Sequence, residues 1–263
     1  MQAQLLPLRD RLAAISRPPA PSHRRPASLG GSLDAPLAGG LARAALHEVL
    51  AAAPRHASAA SAFAAALALL AAGGSPLVWA RQSLGTLEAG ALYGPGLAEL
   101  GLDPGRVVLV ELKDALQVLR AALEAARTPA LGAVVVEIWG EPRILDLTTT
   151  RRLALAAARS GTTVLLLRLG TEAQPSAAQT RWQVAASPSR ALAANAPGHP
   201  SFTVKLDRHR AGPAGQSWRL EWNRDRHRFD IVPAQSAPLS GAVVSLPARQ
   251  PAQAPGGRLA ATG

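Results

Sequence analysis

Residues 131–139 read Leu131-Gly-Ala-Val-Val-Val-Glu-Ile-Trp139, a run of β-branched and apolar side chains without alternation. A run of this kind suits a strand covered on both faces, as in a parallel sheet between helical layers. The flanking sequence agrees. Asp114–Arg127 carries Leu116, Leu119 and Leu123 at helical spacing, and Leu147–Ser160 is a second helical stretch that Gly161 can end as a left-handed cap. Thr162–Leu169 is a further apolar run. Strand, helix and strand in this order make a βαβ unit with a right-handed crossover. Val134–Ile138 is therefore expected as a central strand.

Working outward, Ala45–Ala51 reads as a first strand, with a loop around Pro54 and an Ala/Leu helix up to Ala72. Gly73–Pro76 turns the chain, Leu77–Ala80 is a second strand, Leu97–Leu100 a short helix, and Arg106–Leu112 a third strand after the turn at Asp103–Gly105. Strands alternating with helices imply an open α/β sheet. After Gly170 the texture changes. Thr180–Ala186, Phe202–Arg210, Trp218–Trp222 and His227–Val232 alternate apolar with polar residues and read as antiparallel strands extending one sheet edge, with Asn223–Asp225 as a hairpin turn. Phe202, Val204 and Leu206 share one face, as do Trp218, Leu220 and Trp222.

Three regions follow. Residues 1–40 hold a short amphipathic helix, with Leu5, Leu8, Leu12 and Ile15 as one apolar stripe, and a flexible Pro/Ser/Gly/Arg-rich linker over Pro18–Gly40. Residues 41–232 form the α/β domain. Residues 233–263 are rich in Pro, Ala, Gly and Ser and read as a disordered tail.

The 263 residues are 48% hydrophobic and only 3% aromatic, so Ala, Leu and Val must fill the core. There is no cysteine, which excludes disulfides, thiolate catalysis and cysteine zinc sites and suits a reducing, cytoplasmic setting. No secretory signal is visible at the N-terminus. Ala57–Ala72 is the most membrane-like stretch, but a span needs roughly 20 residues, so a buried helix is expected. The net charge of +11 is unevenly spread: residues 46–175 hold 11 basic and 11 acidic residues, while both flanks are basic. Basic flanks attract nucleic acid or acidic protein surfaces.

Enzyme signatures are missing. A phosphate loop after the first strand needs glycines, a Lys and a Ser or Thr. Here the stretch is Leu50-Ala-Ala-Ala-Pro-Arg-His-Ala-Ser-Ala-Ala-Ser61, with no Gly and no Lys. Arg55, His56 and Ser61 are the remnants that an anion could meet there, with helix capping as the alternative for the serines. Glu137 ends the central strand where a nucleotide hydrolase would keep a metal-organising carboxylate; alternatively it bonds a neighbouring backbone group or Arg. His47-Glu48 lacks the second His of a metalloprotease helix, and the six His have no ligand spacing, so no metal site is expected. Arg208, Arg210, Arg224, Arg226 and Arg228, near Trp218 and Trp222, are candidates for single-stranded DNA, by phosphate contact and base stacking; alternatively they are solvated arginines beside a half-buried sheet.

In their order, several segments resemble the ImuA family of RecA-like, damage-inducible bacterial mutagenesis proteins. They are Leu46-His-Glu-Val49, Pro76-Leu-Val-Trp79, Tyr93-Gly-Pro-Gly-Leu97, Leu100-Gly-Leu-Asp-Pro104, Leu145-Asp-Leu-Thr148 with Arg151-Arg152-Leu153, Pro175-Ser-Ala-Ala178 with Thr180-Arg-Trp182, and Trp218–Phe229. The resemblance implies a RecA-like, open, mostly parallel sheet with helices on both faces. The sequence departs from RecA recombinases at the phosphate loop, and Arg81-Gln82 stands where they place a catalytic Glu after the second strand. The resemblance therefore implies a non-catalytic adaptor without a cofactor, acting in the SOS response with the Y-family-like polymerase homologue ImuB, an error-prone replicative-type DNA polymerase, and RecA. A divergent ATPase and a single-stranded DNA-binding module are the alternatives. Apart from the resemblance, the stripe of Leu5, Leu8, Leu12 and Ile15 is a candidate for docking a partner groove, with packing on the core or fraying as the alternative.

Overall fold

The computed structural model describes residues 25–190 and 198–233. Among these residues nine strands form one sheet: β1 (Leu46–Ala51), β2 (Leu77–Gln82), β3 (Val107–Leu112), β4 (Ala133–Trp139), β5 (Thr163–Leu169), β6 (Thr180–Ala186), β7 (Ser201–His209), β8 (Ser217–Asn223) and β9 (Arg228–Ile231). Their order is β3-β2-β4-β5-β1-β6-β7-β8-β9. The first six pair in parallel, and β6 to β9 pair antiparallel. The helices are α1 (Ala57–Ala72), α2 (Ser83–Ala89), α3 (Gly94–Glu99), α4 (Ala115–Ala126) and α5 (Leu147–Ser160).

The run that opened the reading is β4, buried on both faces. On one face Val135 meets α1; on the other Val134, Val136 and Ile138 meet α4 and α5. Asp114 and Asp146 cap α4 and α5 by accepting the N–H groups of Gln117 and Thr149 at 2.9 and 2.7 Å. Gly161 ends α5 at φ 86°, in the left-handed conformation glycine supplies cheaply.

Helix α1 is apolar all round because it lies inside the core, with ten of its residues buried. With the turn before it, Pro54–Ala72 is long and apolar enough to cross a membrane, yet it packs against the sheet. Its alanines let the backbones approach closely. A Cβ on Gly132, just before β4, would stand 2.5 Å from Ala72 Cα. The scarce aromatics gather where α1 crosses the antiparallel half: Phe63 lies 5.7 Å from Trp182, 5.8 Å from Phe202 and 5.1 Å from Phe229. Phe202, Val204 and Leu206 share that cluster with Trp222.

Two expectations are corrected and one helix is added. Thr180–Ala186 is not wholly antiparallel: β6 lies parallel to β1 and antiparallel only to β7. Its alternation arises because Arg181 and Gln183 face away from the α1 core, a pattern that a half-covered parallel strand shares with an antiparallel one. Helix α2 was not anticipated; its seven residues, with Gly85 among them, have little helical signal. The expected flexible linker does not hold over residues 26–41. Ala27, Leu29, Leu33, Leu37 and Leu41 are buried in the α1-side core, and Ala27 bridges Leu41. Its polar composition masked an apolar residue about every four positions. The helix expected over residues 1–17 and the tail expected from Pro233 fall, but for Pro233, outside the described residues.

Candidate functional site at the carboxyl ends of the parallel strands

Open α/β sheets hold ligands beyond the carboxyl ends of their strands. A cavity of about 330 Å³ lies there, between α1, the ends of β2 and β4, and the segment from Ala89 to Leu100. Ser58 and Ser61 line it from α1, and Trp79, Arg81 and Glu137 from the sheet. Arg55 and His56 do not line it.

Arg81 sits in register between Glu111 of β3 and Glu137 of β4. Its Nη2 donates to Glu137 Oε1 at 2.9 Å and to the Gly90 carbonyl at 3.1 Å; its Nη1 is 3.9 Å from Glu111. Trp79 Nε1 donates to Glu137 Oε2 at 2.8 Å. Both oxygens of Glu137 are therefore engaged. Burial pushes this carboxyl above its ordinary range, against the opposing pull of Arg81 and the Trp79 indole. Gly85 of α2 closes over the pair.

The β1–α1 connection is short, and three of its N–H groups are bonded within the protein. Ala52 N–H donates to Val184 O at 2.8 Å and His56 N–H to Ala53 O at 2.9 Å. Ala57 N–H donates to Pro54 O, and Pro54 has no N–H to offer. His56 Nδ1 accepts from Ala186 N–H at 3.2 Å, and Arg55 is exposed. A phosphate cradle needs several free backbone N–H groups converging on one point, and those of Ala52, His56 and Ala57 are engaged within the protein.

A second charged cluster, which the sequence reading missed, lies on the α5 face of the sheet, across β1, β5 and β6. Glu48 of β1 is fully buried and accepts from Arg168 Nη1 at 3.3 Å, Arg181 Nε at 2.7 Å and Ser176 Oγ at 2.8 Å. Arg168 Nη2 donates to Thr171, whose hydroxyl donates to Glu141 Oε1 at 2.8 Å. This network ties the helix-free connection from β5 to β6 onto the sheet. Charged residues inside apolar strands were its only sequence signal.

The arginines considered for nucleic acid do not form one surface. Arg208 Nη1 and Arg210 Nη2 both donate to the Ser176 carbonyl, at 2.7 and 3.2 Å, and Arg210 Nε donates to Ala178 O at 2.9 Å. They lie toward the His209–Ser217 end of the antiparallel strands. Arg224, Arg226 and Arg228 lie at the opposite end, in the β8–β9 turn and its flank. There Arg228 pairs with Asp230 at 2.9 Å and Arg224 with Glu99 at 3.7 Å, while Arg226 is exposed. Trp222 is fully buried with its Nε1 on the Leu100 carbonyl at 3.0 Å, so it offers no stacking face; Trp218 is half-buried. Leu5, Leu8, Leu12 and Ile15 lie outside the described residues. Among the described residues, no group of three or more His, Cys, Asp or Glu is placed to hold a metal ion.

No protein-family model matches the sequence, and no curated protein matches it. Solved structures do. The RadB recombinase superposes with a TM-score of 0.54 at 20% identity, over 78% of this chain and 99% of that one. A KaiC-like protein from the hyperthermophilic archaeon Pyrococcus horikoshii OT3 superposes with a TM-score of 0.50 at 14% identity, over 80% and 99% of the two chains. At these identities the likeness is one of architecture. The chain has a RecA-like fold: a mostly parallel α/β sheet carried on by antiparallel C-terminal strands.

Proposed function

We propose that this protein is a non-catalytic adaptor of the ImuA type, which brings polymerase components together at damaged DNA during error-prone translesion synthesis. The observation that supports the reading is a RecA-like frame in which Arg81 and Trp79 both bond Glu137 at the carboxyl ends of the strands. The β1–α1 connection bonds its own backbone, and Glu137 spends both oxygens on Arg81 and Trp79. The segments resembling the ImuA family, from Leu46-His-Glu-Val49 to Trp218–Phe229, supply the cellular setting. The partners are ImuB, the error-prone replicative-type polymerase and RecA, met by rigid faces of the sheet domain. RecA-type cores associate head to tail, and a free heterologous surface of that kind can cap or join a filament.

The test is affinity recovery of tagged protein from damaged and undamaged cells, with nuclease added to remove DNA bridging. Recovery of a translesion polymerase component or RecA after nuclease is the expected result. Recovery of neither removes the adaptor reading. In the same assay, deletion of residues 1–17 weakens recovery if the Leu5–Ile15 stripe docks the partner; unchanged recovery excludes that stripe.

A further inference from the structure

Helices α4 and α5 lie side by side on the sheet face opposite α1. Val118, Leu119, Leu153 and the small residues Ala122, Ala126, Ala156 and Ala157 fill the layer beneath them. Other large side chains are left at the surface, lining two adjoining cavities of about 440 and 230 Å³ that share Leu123 and Arg152. Leu116, Leu123, Ile144 and Leu155 provide the apolar floor, with Leu116 37% and Ile144 39% exposed. Arginines provide the rim: Arg120, Arg127, Arg152 and Arg159. Arg127 pairs with Glu124 at 2.7 Å, whereas Arg120, Arg152 and Arg159 have no ion pair among the described residues. Across both helices with their caps there are five arginines against three acids, and two of those acids, Asp114 and Asp146, are spent on the helix N-termini. A stretch that is neutral along the chain thus carries net positive charge on this face.

We propose that the α4–α5 groove is the docking site for an acidic amphipathic helix of a partner protein. Apolar side chains at i, i+3, i+4 and i+7 would lie on the leucine floor, and flanking carboxylates would meet Arg120, Arg152 and Arg159. This deepens the adaptor reading and rests on it in needing a protein partner. The groove runs the length of α4, about 18 Å at 1.5 Å per residue, which takes about three turns of helix. A helix satisfies its own backbone, whereas an extended peptide would find no strand edge between two helices to pair with. Nucleic acid would leave the leucine floor without a complement. The chain's own segments outside the described residues have the wrong charge. Residues 1–24 carry Arg9, Arg11, Arg17 and Arg24 against Asp10, residues 234–263 carry two arginines and no acid, and residues 191–197 carry no charge.

The test uses the full chain and a fluorescent, helically constrained peptide of about 14 residues, with leucines at i, i+3, i+4 and i+7 and glutamates beside them. Binding is followed by anisotropy, and folding of each variant is checked by circular dichroism. Saturable binding is expected, weakened at least tenfold by R152E/R159E and by L116S/I144S, and unaffected by R224E/R226E at the far end of the sheet. Hydrogen exchange should slow in α4 and α5 alone. Four results with the peptide would overturn the proposal. One is no saturable binding. A second is equal weakening by R224E/R226E, which indicates general attraction to a basic protein. A third is unchanged binding when serines replace the peptide leucines. The fourth is displacement of the peptide by an oligonucleotide whose own binding ignores L116S/I144S, which indicates a nucleic-acid surface. Partner recovery separates this proposal from its parent. A polymerase component recovered equally by wild type and R152E/R159E leaves the adaptor and removes the groove. Peptide binding at the groove with no polymerase component or RecA recovered removes the adaptor and leaves the groove.

Discussion

Arg81 and Glu137 face each other from adjacent parallel strands at 2.9 Å, with side chains 2% and 3% exposed. Removing one partner of such a pair strands the other as a buried charge, which costs more than the pair itself contributes. Glu137→Gln should therefore destabilise the fold by about 3 kcal/mol, read as a lower urea midpoint at unchanged slope. A double replacement by apolar residues, Arg81→Met with Glu137→Leu, should recover much of that loss. A Glu137→Gln protein as stable as wild type would show that the pair is not structural.

Gly85 lies over this pair. An alanine Cβ there would stand 2.7 Å from Glu137 Oε1 and 3.1 Å from Arg81 Nη2. Both groups are held by other bonds and cannot step aside freely. Gly85→Ala should cost about 1–3 kcal/mol by overpacking, and the loss should shrink when Glu137 is already Ala. Equal losses in the two backgrounds would mean that the contact is not shared.

His47 is fully buried, with its ring nitrogens on Thr180 Oγ1 at 2.8 Å and the Ala42 carbonyl at 2.7 Å. Burial lowers its pKa from 6.5 to about 4. A lowered folded value means that the unfolded chain takes up its proton first as the pH falls. The stability associated with neutral His47 is therefore complete above about pH 6.5 and is lost progressively down to about pH 4, by roughly 3 kcal/mol in all. Urea midpoints measured across this window should fall for wild type and stay flatter for His47→Gln.

Nucleotide should not stabilise the protein. A ligand that binds only the folded state raises the unfolding midpoint according to its concentration over its Kd. With the donors of Ala52, His56 and Ala57 engaged internally, millimolar Mg-ATP should leave the thermal midpoint where it was. A saturable rise that Glu137→Gln alters would favour the divergent ATPase instead.

Trp222 tests the stacking idea. It is buried, 4.8 Å from the Phe229 ring. Trp222→Ala should cost about 3–5 kcal/mol as a core truncation while leaving single-stranded DNA affinity per folded molecule unchanged. A selective loss of DNA affinity without loss of stability would return Trp222 to the surface role.

Periodicity carried much of the architecture. The unbroken runs at Ala133–Trp139 and Thr163–Leu169 are strands buried on both faces, and Asp114, Asp146 and Gly161 bound their helices as their chemistry dictates. These signals are local, so they can be read without knowing what packs where. Less was legible at the site. Ser61 and Glu137 do share one cavity, but nothing local announces that Arg81 would reach Glu137 across 56 positions or that Glu48 would gather Arg168 and Arg181. Burial makes such pairings obligatory, and strand order alone selects the partners.

By itself, then, the sequence determined the alternation of strands and helices, the alanine and leucine core and the missing phosphate-loop glycines and lysine, because each depends on residues adjacent along the chain. Only the tertiary structure decided that β6 runs parallel to β1, that residues 26–41 join the core, and that Trp222 is buried. It also turned a stretch of zero net charge into an arginine-rimmed groove. Folding placed Glu48 and Glu137 in the sheet against buried arginines, while Arg120, Arg152 and Arg159 came together on the outer helix faces. Charge balance along a chain says nothing about charge balance on a face.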